Sequence, residues 1–171
     1  MKLILSDRHV AIPEIEDTDI QLIDLSQLHI ANCVGCFGCW TKTPGKCVIR
    51  DDAVRVYPLI AASDSVLYIS RVKYGGYDTV MKTMLERAIP IQQAFIRLLH
   101  GETHHVQRNV LPKQAVIIGY GQISPEEQDV FQQLIDRNAN NMNFQHHRVR
   151  FASEETLEQA VREEVLAWKK S

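Results

Sequence analysis

Four short apolar runs, residues 3–5, 20–25, 66–70 and 115–119, are separated by stretches of helical periodicity, and this alternation leaves few folds open. Three of the runs are rich in Val, Ile or Leu without strict alternation, as in strands buried on both faces. A fifth run, residues 145–151, sets His147, Val149 and Phe151 against Arg148 and Arg150 and reads as an edge strand. Between the runs, residues 52–62 place Val54, Leu59 and Ile60 on one face, with Asp51 or Asp52 as N-cap. Residues 78–89 carry Val80, Met81, Met84, Leu85 and Ala88 at helical spacing. Residues 124–138 open with Ser124, Pro125 and Glu127, a capping-box start. Residues 156–170 line up Leu157, Val161, Val165 and Leu166. Strands alternating with helices imply a parallel sheet covered on both faces. The expectation is one domain over residues 1–171, an α/β fold in three layers with a five-stranded parallel sheet. Residues 145–151 should lie at one edge. Residues 90–112 interrupt the alternation as an insertion, with room for a helix over residues 92–100.

Composition narrows the function classes. The chain is 45% hydrophobic and 23% charged, with a net charge of −2, and no basic run argues for nucleic acid. No apolar stretch approaches the ~18 residues that a membrane span needs. Residues 1–5 are too short for the apolar region of a signal peptide, and polar residues follow at once. The chain is expected to be cytoplasmic, with neither nucleic acid nor membrane as a partner.

In a sheet of this kind, ligands bind beyond the carboxyl ends of the strands. The segments there are residues 6–13, 26–47, 70–78 and 119–124. Gly75, Gly76, Gly119 and Gly121 lie in them and permit a flat ligand to approach the backbone; ordinary turn chemistry is the alternative. All four cysteines fall in the second segment, at Cys33-x2-Cys36-x2-Cys39-x7-Cys47, followed by Asp51 and Asp52. Gly35, Gly38 and Gly45 let that backbone turn, so four thiolates can converge on one small volume. Thiolate sulfur suits iron–sulfur clusters and zinc, and the first three positions match the start of a bacterial ferredoxin spacing. A disulfide framework and a turn of buried, reduced thiols are the competing readings. Glu102, His104 and His105 could ligate a metal or transfer a proton. Adjacent histidines on an extended chain point apart, so a surface or subunit contact is the simpler account, as for His146 and His147. Glycine patterns of acyl-transfer, Walker or Rossmann sites are absent.

Ile23-Asp24-Leu25 followed by Cys33-Val34-Gly35-Cys36-Phe37-Gly38-Cys39-Trp40 and residues 41–52 resembles the NADPH-dependent FMN reductases of the flavodoxin-like superfamily, and their iron–sulfur flavoprotein branch. The resemblance continues through residues 65–87 and covers about half of the chain. It implies the flavodoxin-like strand order 2-1-3-4-5, with FMN at the strand carboxyl ends. It further implies hydride transfer from NADH or NADPH to the flavin, then reduction of a small-molecule acceptor. The implied flavin contacts are Cys36, Phe37, Cys39 and Trp40, then Val72, Lys73, Tyr74, Gly75 and Gly76, then Gly119, Tyr120 and Gly121. Ser6 and Arg8 remain as phosphate contacts. In related flavoproteins a compact four-cysteine motif holds an iron–sulfur cluster, which would here use Cys33, Cys36, Cys39 and Cys47.

The chain departs from that pattern at two places. Only residues 6–19 separate the first two strands, and they contain Pro13, Asp7, Glu14, Glu16 and Asp17 but no glycine. This suffices for a parallel crossover but not for the helix that usually cradles a flavin phosphate. The flavin loop usually has a proline and a tyrosine where this chain has Arg71 and Lys73, and Asp78 stands where a serine is common. A non-catalytic flavodoxin-like partner subunit is the alternative that these departures motivate. The shortened segment also leaves one sheet face short of a helix. It predicts a homodimer or homotetramer, or the insertion at residues 90–112 folded over the gap.

Overall fold

The structure, a computed structural model, describes residues 1–14 and 19–168. Its centre is a parallel sheet of β1 (Lys2–Ser6), β2 (Ile20–Asp24), β3 (Ser65–Lys73), β7 (Lys113–Tyr120) and β8 (Phe144–Ala152), in the order β2-β1-β3-β7-β8. Counted along these five, the order is the flavodoxin-like 2-1-3-4-5. β1 is flanked on both sides, with Leu5 opposite Ile23 on β2 and Tyr68 on β3. Leu3, Ile4 and Leu5 are all fully buried. Successive side chains on a strand point to opposite faces, so such a run folds only where both faces are covered. β8 pairs only with β7 and forms the edge.

One face is covered by α2 (Ala53–Ala62), α3 (Thr79–Glu86) and α4 (Pro125–Met142). Val56, Ile60, Met81, Met84, Phe131 and Ile135 pack there on Leu3, Leu5, Val66, Tyr68 and Ile117. The other face is covered by α5 (Leu157–Ala167), whose Leu157, Val161 and Val165 meet Ile4, Leu67, Ile69 and Ile118. Each such side chain contributes roughly 1.5–3 kcal/mol on burial, which is what selects this layering. Asp78 caps α3 by accepting from the Thr79 amide, and Ser124 with Glu127 closes the capping box of α4. Expected positions Glu16, Asp17 and Lys170 lie outside the described residues.

The missing crossover helix is partly replaced by two side chains. Val10, 2% exposed, and Ile12 pack onto the α5 face with Trp168, so the central strands stay dry there. Ile20 and Leu22 on the edge strand β2 remain half-buried.

The insertion differs from the expected helix over residues 92–100. It is a hairpin of β5 (Gln92–Leu99) and β6 (Glu102–Gln107). His100 and Gly101, with φ of +52° and +79°, form its two-residue turn, and positive φ at both positions matches the right-handed twist of paired strands. Pairing with β6 satisfies the backbone of residues 96–99, which overrides their weak helical pattern. Gln92 Nε2 and Gln107 Nε2 both donate to the Asn141 carbonyl, so the hairpin docks on the C-terminal end of α4. It therefore lies on the face opposite the gap and does not act as its lid.

Candidate functional site

The cysteine segment is anchored by two aspartates that precede α2. Asp52 accepts from the His29 amide and Asp51 from the Ala31 amide, each at 2.8 Å. Arg87, at the end of α3, donates to both Asp51 oxygens, to the Ala31 carbonyl at 2.7 Å and to Cys47 Sγ at 3.4 Å. Burial alone would raise the Asp51 pKa, but the guanidinium and two backbone amides hold it below the usual carboxylate range. Beyond the anchor, Phe37 takes a left-handed φ of +55° and opens the single-turn helix α1 (Gly38–Thr41). Trp40 on that turn donates Nε1–H to the Gln92 carbonyl and stacks on His105 with centroids 4.6 Å apart. Trp40 thus ties α1, which also carries Cys39, to the β5–β6 hairpin, while Phe37 is 61% exposed. Cys33 and Cys36 are exposed, and Cys39 and Cys47 half-buried. Burial, then the neighbouring Cys47, pushes the Cys39 thiol up. Among the described residues, no three His, Cys, Asp or Glu side chains converge on one ion.

A second group meets at the carboxyl edge of β1, β3 and β7. Asp7 follows β1, and its Oδ2 accepts from the Arg71 amide at 2.7 Å and from Ser70 Oγ at 3.1 Å. Its Oδ1 accepts from the Tyr120 hydroxyl at 2.8 Å. Burial pushes the Asp7 carboxyl up against these donors, and burial plus the Asp7 charge pushes the Tyr120 phenol up. The Asp7 carboxylate therefore takes up the Arg71 amide and the Ser70 and Tyr120 hydroxyls, donors that an anion at this edge would otherwise use. Above it, the guanidiniums of Arg8 and Arg71 lie over the Tyr120 ring at 5.8 and 5.1 Å. Both pair with Glu154, Arg8 at 2.7 Å. Gly121, with φ +121°, lies beside the Arg71 side chain, and Ser6 is fully buried beneath the Arg8 amide that donates to its hydroxyl.

The third group surrounds the end of β3. Val72 and Lys73 pair with Tyr77 and Gly76 of the short strand β4 (Gly76–Tyr77), across a turn made by Tyr74 and Gly75. Both turn residues have positive φ, +54° and +70°. Tyr74 holds this strained conformation while 86% exposed. It borders a cleft of about 930 Å³ between α3 and α4, lined also by Lys73, Asp78, Lys82 and Arg137. Asn32, just before Cys33, lines the same cleft and accepts from Thr83 Oγ1 at 3.3 Å. A Cβ on Gly75 would stand 2.6 Å from Val130, and one on Gly119 2.8 Å from Val72 and 3.1 Å from Phe131. Gly75, Gly119 and Val72 serve close packing of β3 on β7 and α4.

Of the residues expected from sequence, Ser6, Arg8, Tyr120 and Gly121 come together at the edge, and Lys73, Tyr74 and Gly76 at the cleft. The sequence reading missed Asp7 as a hydrogen-bond acceptor, Glu154 and Arg87. Asp7 stands directly after a strand at the ligand edge, which is a usable signal; Glu154 has none.

No protein-family profile matches the chain. It is similar to an iron–sulfur flavoprotein of Archaeoglobus fulgidus, 34% identical over 82 residues, which span 47% of this chain and 36% of that protein. An iron–sulfur flavoprotein of Methanocaldococcus jannaschii is 29% identical over 80 residues, 47% of this chain and 40% of its own length. One of Clostridioides difficile is 31% identical over 75 residues, 43% of this chain and 32% of its own length. The matches thus span well under half of these relatives. Among solved structures, an FMN-dependent NADH-azoreductase from Bacillus anthracis in complex with FMN aligns at TM-score 0.56 and 11% identity, covering 99% of this chain and 97% of that one. Azoreductase AzrA aligns at TM-score 0.60 and 8% identity, covering 98% and 93%. The chain has the flavodoxin-like fold and is similar, over just under half of its length, to iron–sulfur flavoproteins.

Proposed function

We propose that the chain is an FMN-dependent oxidoreductase that takes electrons from NADH or NADPH and delivers them to a small acceptor. The observation that carries this reading is the convergence of Arg8 and Arg71 on Glu154 at the carboxyl edge of β1 and β3, with the exposed Tyr74 beside an open cleft three residues on from Arg71. In open α/β sheets this edge is where ligands bind. Guanidiniums suit a phosphate, and a tyrosine face suits a planar aromatic ring. FMN would supply the hydride chemistry, and the protein placement and electrostatics.

In this reading Arg8 and Arg71 hold the phosphate in place of the amide loop that Asp7 has closed. The Tyr74 turn presents its ring to the flavin, and Lys73, whose ammonium stands 5.7 Å from the Tyr74 ring centroid, places a cation where negative charge develops on reduction. Asn32 carries the cysteine segment to the rim of the same cleft. The similarity to iron–sulfur flavoproteins and to FMN-dependent azoreductase structures supports the assignment. The half-buried Ile20 and Leu22 on the outer face of β2 support a homo-oligomer. No described helix is long and apolar enough to cross a membrane. A single domain in the cytoplasm completes the reading.

The test is anaerobic titration with FMN, followed by NADH or NADPH. Quenching of flavin fluorescence and bleaching of the visible flavin band are expected; absence of both refutes the reading. The names of the three relatives favour an iron–sulfur cluster as a second reading, in which Cys47, now engaged by Arg87, would turn to the cluster. Iron and sulfide analysis after anaerobic purification decides it.

A further inference from the structure

We propose that Glu154 is a displaceable internal anion, and that the Arg8–Arg71 pair it bridges is a binding site for a phosphate monoester. The inference takes the identity of its ligand from the flavin reading, while the site itself stands on its own geometry. Two guanidiniums, from the end of β1 and the end of β3, lie over one ring, Tyr120, at 5.8 and 5.1 Å from its centroid. Each guanidinium has five N–H donors, but among the described residues Arg8 uses only Nη1 on Glu154 and Arg71 only Nη2. One carboxylate thus occupies a place with donors to spare, and a tetrahedral phosphate satisfies more of them through paired contacts.

The two acidic groups at this edge are held very differently. Asp7 is half-buried and takes three hydrogen bonds of 2.7–3.1 Å from Arg71, Ser70 and Tyr120. It is part of the floor. Glu154 sits on the loop after β8, and among the described residues its side chain bonds only to the two arginines. Its side chain is 37% exposed, and those of Arg8 and Arg71 are 46% and 43% exposed. An ion pair this open to water is weak and exchanges readily. The loop itself is held without Glu154, through Ser153 and Thr156, whose hydroxyls accept from each other's amides. Glu154 can therefore leave the arginines without disturbing the fold around them.

Two ligands present a phosphate monoester to such a site, the tail of FMN and the 2′-phosphate of NADPH. Titration calorimetry with inorganic phosphate tests the site without either. Glu154→Gln keeps the side-chain shape and removes the competing charge, so phosphate should bind about tenfold tighter than to the wild type. Adding Arg8→Ala to Glu154→Gln should abolish the gain. Glu154→Ala serves as the second variant, with circular dichroism as the check on folding. If neither variant binds phosphate more tightly than the wild type, the proposal fails. FMN against riboflavin, and NADPH against NADH, then assign the source. A gain by Glu154→Gln for FMN but not riboflavin marks the flavin tail, and a gain for NADPH alone marks the nicotinamide donor. Loss of all flavin binding together with a persistent phosphate gain overturns the flavin reading and leaves the anion site standing.

Discussion

The guanidinium of Arg87 closes on the carboxylate of Asp51 through two hydrogen bonds of 2.6 and 2.9 Å, at a point where the arginine is 1% exposed. The pair joins the end of α3 to the start of α2, and the Ala31 amide and carbonyl bind to its two halves. It is the clasp from which the cysteine segment hangs.

Arg87→Met should therefore loosen that segment as well as lower stability. Removing one partner of a buried pair leaves the other charge uncompensated, at about 3–5 kcal/mol. For a chain of this size that lowers Tm by roughly 6–20 °C. Limited proteolysis should cut first within residues 33–47, and an unchanged digestion pattern would place the clasp elsewhere.

Acid should act through Asp51. Its folded pKa lies below the ordinary 3.8, so its contribution is present above that value and is lost as pH falls through the lower folded one. The urea midpoint of the wild type should fall more steeply than that of Asp51→Asn between neutral pH and pH values below the ordinary one. Parallel curves would deny the carboxylate this role.

Lys113 predicts the opposite trend in base. Its ammonium is 1% exposed, donates to the carbonyls of Ser63 and Leu111 at 2.9 and 2.7 Å, and is pushed by burial from 10.5 to about 8. The unfolded chain then binds more protons than the folded one between these values, so this group's contribution to stability rises with pH across that window. Relative to Lys113→Met, the wild type should gain on the order of 2 kcal/mol between pH 7.5 and 10 in denaturant titrations. A constant difference would show that the carbonyls hold the ammonium charged throughout.

Gly119→Ala separates packing from cofactor approach. A Cβ there meets Val72 at 2.8 Å and Phe131 at 3.1 Å, and overpacking of this kind destabilises by about 1–3 kcal/mol. Flavin affinity, measured by fluorescence quenching, should stay within about twofold of wild type, since the added Cβ meets the packed side chains Val72 and Phe131. A large loss of affinity without loss of stability would return Gly119 to the flavin site.

The apolar runs and helical stripes by themselves determined the layered parallel sheet and the helices on either side, and the family resemblance supplied the strand order. Burial on both faces leaves runs such as Leu3-Ile4-Leu5 no other stable arrangement. The capping box at Ser124 was legible because its partners lie within three residues. The hairpin at residues 92–107 was not, since its strands are specified by pairing with each other and by the left-handed pair His100-Gly101. Spacing placed four cysteines in one segment, but only the tertiary structure decided that Cys47 turns to Arg87 while Cys33 and Cys36 face solvent. The bridge from Glu154 to Arg8 and Arg71 joins residues 146 and 83 positions apart. Such long-range electrostatic contacts leave no periodic trace in a sequence, because they depend on where three strand ends meet and not on the local pattern of any of them.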